Sequence, residues 1–237
     1  MLRITPRGNN DTRAFPRFAV TVDIVLLSVV AGTLHVLLIE RADRTHRGMW
    51  ALPGGFKKPD ETLDEAASRE LLEETNVAAP GHLTQFHSYG DPGRDPRGNV
   101  VTVAYLAAVP PLDNRRVAGG GDASRADGVP VDDVVRGRRK LAFDHARIIR
   151  DAVDHVVDQI DRTPIALGFL GPTFTITDIR RVHEAVVGEP LDAANFRRRL
   201  LSVDRPIIQP TDRLNNPGTD GGRPATLYRR ASARSRR

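Results

Sequence analysis

The stretch GFKKPDETLDEAASRELLEETNV, residues 55–77, crowds Glu70, Glu73 and Glu74 into little more than one helical turn. Its own signals make it a helix. Thr62 and Glu65 fit a capping box, in which hydroxyl and carboxylate each satisfy an orphan backbone donor. Leu63, Ala67 and Leu71 recur every four residues and give the helix a face to bury. The three carboxylates then converge on one point off the surface, where like charges cost about 0.2–0.5 kcal/mol per pair. Either water screens them or a cation sits among them. Hard divalent cations such as Mg²⁺ take carboxylate oxygens and keep some waters, often with substrate phosphates. Immediately upstream, Pro53-Gly54-Gly55 is a sharp turn where backbone can approach a phosphate or offer a carbonyl. Arg69 could lock one carboxylate through a bidentate contact.

What surrounds this helix predicts an α/β domain. Phe18 to Ile39 is apolar enough to raise the question of a membrane span. Asp23 and His35 fall inside it, however, and Ala31-Gly32-Thr33 splits it, so it reads as two strands and a turn. Further strands are expected at Leu83–Tyr89 and Val100–Val109, and residues 111–128 have the composition of an exposed loop. Phe143–Ile160 has helical spacing, with Ile149, Val153, Val156 and Ile160 on one stripe. The first residues, 1–16, read as a loose arm without the apolar core of a signal peptide. The absence of cysteine excludes disulfides and cysteine-ligated zinc, and fits a cytoplasmic protein.

The spacing of the acidic segment is long and specific. Gly55, five residues, Glu61, seven residues, Arg69-Glu70-Leu71, one residue, Glu73-Glu74, and then Val77 resembles the Nudix box. Asn76 stands where that pattern ends in glycine, and Asn is the next-best residue for a left-handed helix cap. The resemblance implies an α/β/α sandwich that binds Mg²⁺ or Mn²⁺ and hydrolyses a nucleoside diphosphate linked to another group. Carried over residue by residue, it makes Glu70 and Glu74 the main metal ligands, with Glu73 direct or through water and the Gly54 carbonyl alongside. It makes Arg69 the residue that orients the carboxylates and Glu61 the brace. The flanks TVDIVLL, MWALPGGF, GDPGRDPRGNVVTVAYLA and LAFDH look like the branch that handles ADP-ribose. Trp50 and Tyr89 are then candidates to stack on adenine, and Arg44, Arg47, Arg94 or Arg97 to meet phosphates. Asp91, Asp95, Asp132, Asp133 and His145 are all candidates for a base outside the box.

Charge divides the chain. From Asp161 onward there are 14 Arg and no Lys against 8 acidic residues, whereas the first 160 residues carry a net −1. A basic back half behind a nearly neutral front half suggests different partners. Thr163–Pro172, with two prolines and two glycines, is a plausible junction. Beyond it the pattern is a helix over Thr177–Val187, a second over Ala193–Leu201 capped by Asp192, and two extended runs, Pro206–Gln209 and Ala225–Tyr228. That order suggests a winged helix, whose second helix enters the major groove. With Phe196 and Leu200 inward, Asn195, Arg198 and Arg199 point outward and Arg197 lies at the margin, a set suited to base edges. Arg213 and Arg223, within a wing over DRLNNPGTDGGRPA, would meet phosphates.

FTITDIRRVHEAVVGEPLDAANFRRRLL followed by GGRPATLYR resembles the C-terminal domain of Nudix-related transcriptional regulators of NAD metabolism, the NrtR type. That resemblance implies a homodimer on double-stranded operator DNA, released by ADP-ribose or a related nucleotide. Many such regulators have a degraded box, and here it is intact. The expected organisation is an arm over 1–16, a Nudix sandwich over 17–162, a winged helix-turn-helix over 163–230 and a basic tail over 231–237. The alternatives are a plain ADP-ribose-type pyrophosphohydrolase with an accessory basic domain, and a catalytically silent repressor.

Overall fold

The computed structural model describes residues 16–81, 83–112, 117–202, 207–215 and 224–231. The arm before residue 16, Arg223 and the basic tail after residue 231 lie outside them.

The apolar run that could be mistaken for a membrane span is a hairpin of β1 (Ala19–Val30) and β2 (Thr33–Arg41). Its turn residues Ala31 and Gly32 both have positive φ, 49° and 79°, the geometry whose twist matches two paired strands. β1 is mostly apolar because both its faces are covered. Val22, Ile24 and Leu26 pack with Ala66, Ala67 and Leu71 of α1 (Leu63–Thr75). Val25 and Leu27 pack on the other side with Ile148, Ile149, Ala152 and Val156 of α3 (His145–Ile160), which follows the short α2 (Val131–Val135). Period-two alternation along one strand thus builds an α/β/α sandwich. No helix among the described residues is long and apolar enough to cross a membrane.

Five further strands complete the sheet: β3 (Trp50–Ala51), β4 (Gly54–Phe56), β5 (Thr84–Tyr89), β6 (Val100–Ala108) and β7 (Ala123–Pro130). The main order is β3-β2-β1-β6-β5, with β4 on β1 and β7 on β2. β1 and β6 run parallel and the other pairs antiparallel. β7 corrects the end of the expected loop over 111–128, turning residues 123–128 into strand. ASRADGVP is polar and half exposed because β2 binds it through backbone, from His35–Pro130 to Arg41–Ala123, so no apolar alternation marks it.

The junction is ordered as a 3₁₀ turn, Pro164–Phe169, capped by Thr163, with Ala166, Leu167 and Phe169 buried. α4 (Ile176–Val187) and α5 (Ala193–Leu201) follow, then the hairpin of β8 (Ile208–Leu214) and β9 (Thr226–Arg230). Phe174 bridges to Tyr228 and adds a third short strand segment. A separate core of Phe174, Ile179, Phe196, Ile208 and Tyr228 holds this part together. α4 has no single inward face. Ile179 enters that core, whereas Val182 and Val186 join the core of the sandwich, so α4 is packed on two sides.

Candidate functional site

α1 delivers its carboxylates to the glycine turn. Thr62 and Glu65 form the full capping box at its start, and Asn76 ends it in the left-handed conformation, φ 56°. Glu74 is buried, and its Oε2 accepts a 2.8 Å bond from the Gly54 amide. Glu70 lies against Gly55 so closely that a Cβ there would stand 2.4 Å from Glu70 Oε1. A Cβ on Gly54 would stand 2.2 Å from the Val22 carbonyl, so the pairing of β4 with β1 also requires glycine.

Arg69 is the hub. Its Nε and Nη2 donate to Glu61 at 2.8 and 2.7 Å, and Nη1 donates to Glu70 at 2.8 Å and Glu73 at 3.1 Å. The bidentate partner is therefore Glu61, whose carboxyl is lowered to about 2 by Arg69 and by the Lys58 amide. Burial raises Glu70 and pushes Glu74 up to about 8, with the Gly54 bond opposing it. The donors are hard oxygens; Glu74 is buried, Glu70 is half-buried against backbone, and burial disfavours the ionised form of both. That is an environment a divalent cation would relieve, so the residues fit Mg²⁺ or Mn²⁺. Glu73 instead turns out to Arg69 and lies 4.0 Å from Lys58. Among the described residues, no three acidic or histidine side chains are already gathered around one point.

Beside the turn a narrow cleft is lined by Asp23, Arg41, Arg94, Asp95, Arg97 and His145, with Phe143 at its edge. Arg94 is buried between Asp144, at 2.7 Å, and Asp23, at 3.5 Å. Arg97 grips Asp95 and lies over the Phe56 ring, 4.8 Å away. Burial alone would raise Asp95, but the Arg97 side chain and amide hold it below the usual carboxylate range. His145 Nδ1 accepts from the Leu52 amide at 2.8 Å, which leaves Nε2 toward Asp23 at 3.5 Å. Burial lowers its pKa, so it is a neutral ring pinned to the chain two residues before Gly54. Phe143 holds φ 53°, a strained value for an aromatic residue, next to Arg41 and His46. A roomier hollow of about 410 Å³ lies between β5, α3 and the 3₁₀ turn, but no carboxylate lines it.

On the basic side, Asp192 caps α5, accepting from the Asn195 amide at 2.8 Å. Phe196 is buried, and Asn195, Arg197, Arg198 and Arg199 are all exposed. Arg198 donates to Asn195 Oδ1 at 2.6 Å, so two of the residues expected to read bases share one contact. Arg213 is exposed on β8. Arg199 turns back to Asp161, at the end of α3.

Both halves now have a shape that can be compared. The NUDIX domain matches residues 17–152, and the NrtR DNA-binding winged helix domain matches residues 166–230. This chain belongs to the NUDIX family, in its NrtR-type branch. The ADPR responsive transcriptional repressor NtrR of Acinetobacter baylyi is 33% identical over 217 residues, which are 91% of this chain and 83% of that protein. An ADP-ribose pyrophosphatase of Methanocaldococcus jannaschii is 35% identical over 148 residues, 62% of this chain and 80% of its own. Shewanella oneidensis NrtR complexed with a 27mer DNA superposes with a TM-score of 0.77 at 32% identity, covering 90% of this chain and 93% of that one. Its NUDIX domain complexed with ADP ribose gives 0.56 at 34% identity, covering 62% and 94%.

Within this Nudix domain the expected nucleotide contacts divide. Arg94 and Arg97 line the cleft; Arg44 and Arg47 are exposed on the loop after β2. Tyr89 is a correction. It is 2% exposed, its hydroxyl donates to Asp151 at 2.9 Å, and it packs in the core, so it has no face free for a base. Trp50 is half buried, with Arg139 and Arg125 over its ring at 4.8 and 5.6 Å, away from the cleft lining. Of the five candidate bases, Asp95 and His145 line the cleft. Asp91 pairs with Arg147, and Asp132 and Asp133 pair with Arg138, all elsewhere. Sequence reasoning missed Asp23 and Arg41. A lone carboxylate in the buried run TVDIVLL was the available signal for Asp23, since burial of such a group demands a partner.

Proposed function

We propose that this protein is a cytoplasmic, homodimeric transcription regulator that binds an ADP-ribose-like nucleoside diphosphate derivative and cleaves its diphosphate. The proposed division is 17–162 for the Nudix domain and 163–230 for the winged helix. The observation that carries the catalytic part is the intact acid helix seated on the glycine turn, with Glu74 bonded to the Gly54 amide and Arg69 joining Glu61, Glu70 and Glu73. Glu70 and Glu74, with Glu73 and the Gly54 carbonyl, would hold Mg²⁺ or Mn²⁺. When bound, the ion supplies Lewis acidity at a phosphoryl oxygen and an activated water. The chain's own residues do the rest. Arg69 fixes the carboxylates, Arg94 and Arg97 set positive charge along the cleft, and His145 holds the turn in place. Operator binding is supported by the exposed Asn195, Arg197 and Arg198 on α5 and by the regulators this chain resembles over most of its length.

The catalytically silent repressor is the second reading, supported by Glu73 pairing with Arg69 rather than facing Glu70 and Glu74. One experiment separates the two. Purified protein should convert ADP-ribose in Mg²⁺, and Glu74→Gln should reduce turnover by more than the roughly 10–100-fold typical of outer residues at a metal site. Equal turnover by the two proteins would leave the silent reading standing. Specific binding to the fragment upstream of its own gene, weakening steeply with salt, tests the regulator.

A further inference from the structure

Asp161 ends α3, the helix whose first residue, His145, lines the nucleotide cleft. Its carboxylate leaves the sandwich and engages two residues of the winged helix. Arg199 of α5 donates to it through Nη2 at 3.0 Å and Nη1 at 3.3 Å, and His183 Nδ1 of α4 lies 3.2 Å from Oδ1. The His183 ring meets Phe196, the buried anchor of α5, edge-on at 4.9 Å, and the Arg199 guanidinium lies 5.6 Å from the same ring. These groups wall a hollow of about 240 Å³ under α5. Arg199 is therefore drawn to the side of α5 that faces the Nudix domain, though like Arg197 and Arg198 it stays exposed.

We propose that Asp161 is a latch that competes with DNA phosphate for Arg199, so that the operator must break this ion pair to use the arginine. This rests on the DNA-binding reading of α5. The geometry carries it. A guanidinium bonded twice to one carboxylate is turned toward that group and has its charge offset there, so a phosphate meets a neutralised and misdirected cation. Arg199 and Asp161 are both about half exposed, which keeps the pair weak enough to exchange. The latch acts through Arg199 and touches no base itself, so Asp161 is a positioning residue.

The test is a double-mutant cycle on the full-length chain, titrated with salt, on two duplexes of equal length: the fragment upstream of its own gene and an unrelated one. Asp161→Asn keeps shape and removes charge. It should tighten binding to both duplexes by about threefold, the scale of an exposed pair. It should also steepen the logarithmic salt slope by about 0.9, one more phosphate contact. Arg199→Ala should abolish both changes, and Asp161→Glu should restore wild-type affinity. An unchanged slope in Asp161→Asn, or a gain that persists in the Arg199→Ala background, overturns the latch. Its failure is separable from failure of the regulator reading. If wild type binds the two duplexes equally, specificity is refuted, while the unrelated duplex still reports whether Arg199 is released. Thermal unfolding of each variant confirms that affinities compare folded proteins.

Discussion

The acid helix and the arginine helix are both short, capped and crowded with like charge, yet the protein treats them in opposite ways. On α1 two of the three clustered carboxylates are turned inward. Glu74 is buried, Glu70 lies on backbone, and Arg69 ties three carboxylates together. On α5 the charges are turned out, and the contacts that hold them are exposed. Chemistry at a reacting phosphate needs groups fixed before the substrate arrives, since a misplacement of about 1 Å costs orders of magnitude. Binding a polyanion of variable shape needs cations that can still move and that release counterions.

The sharpest way to break the comparison is pH. Glu74 has a folded-state pKa of about 8 against an ordinary 4.5, so it binds a proton more readily when folded. Its contribution to stability is complete below 4.5 and is lost as pH rises through about 8. Metal-free protein should therefore lose stability on the order of 5 kcal/mol across that window in urea melts with chelator present. Glu74→Gln should flatten the curve, and saturating Mg²⁺ should restore wild-type stability at pH 8. A wild-type curve already flat would mean that the carboxylate is solvated and α1 resembles α5 after all.

Next in size is the brace. Glu61→Gln breaks the bidentate contact to Arg69 and should lower Mg²⁺-dependent turnover roughly 10–100-fold, with the helix content unchanged by circular dichroism. Arg198→Ala sharpens the other side. If it reads a base, binding should weaken by about 1–3 kcal/mol on the upstream fragment and far less on an unrelated duplex. Equal losses on both would make it a phosphate contact. The smallest effect is expected from Asp192→Ala, which removes the cap of α5 and should cost about 1 kcal/mol of stability in a urea melt.

How far each half could be read in advance follows the same division. α1 was legible to its ends because capping box, apolar face and left-handed Asn76 are local, and each has a residue type attached. The β1–β2 turn was legible for the same reason. β7 was not, because its pairing runs through backbone and leaves a polar, glycine-containing sequence. β3 and β4 are too short, at two and three residues, to show any period. At the site, Arg69 joins Glu61, Glu70 and Glu73 while Glu74 meets the Gly54 amide, contacts among residues that the spacing singles out. The cleft did not follow, since Asp23, Arg94 and His145 meet from three distant segments. Tyr89 misled because an aromatic beside a polar loop looks the same whether its ring faces solvent or core.

One consequence follows from the length of α3. Its 16 residues span about 24 Å, from a first residue that anchors the Gly54 turn to a final cap that grips Arg199. Adding or deleting a single residue between them would swing Asp161 about 100° around the axis while leaving His145 in place. The two halves are therefore geared to each other through a fixed number of teeth. A Nudix domain grafted from another protein onto this winged helix would have to keep that count to remain in mesh with α5.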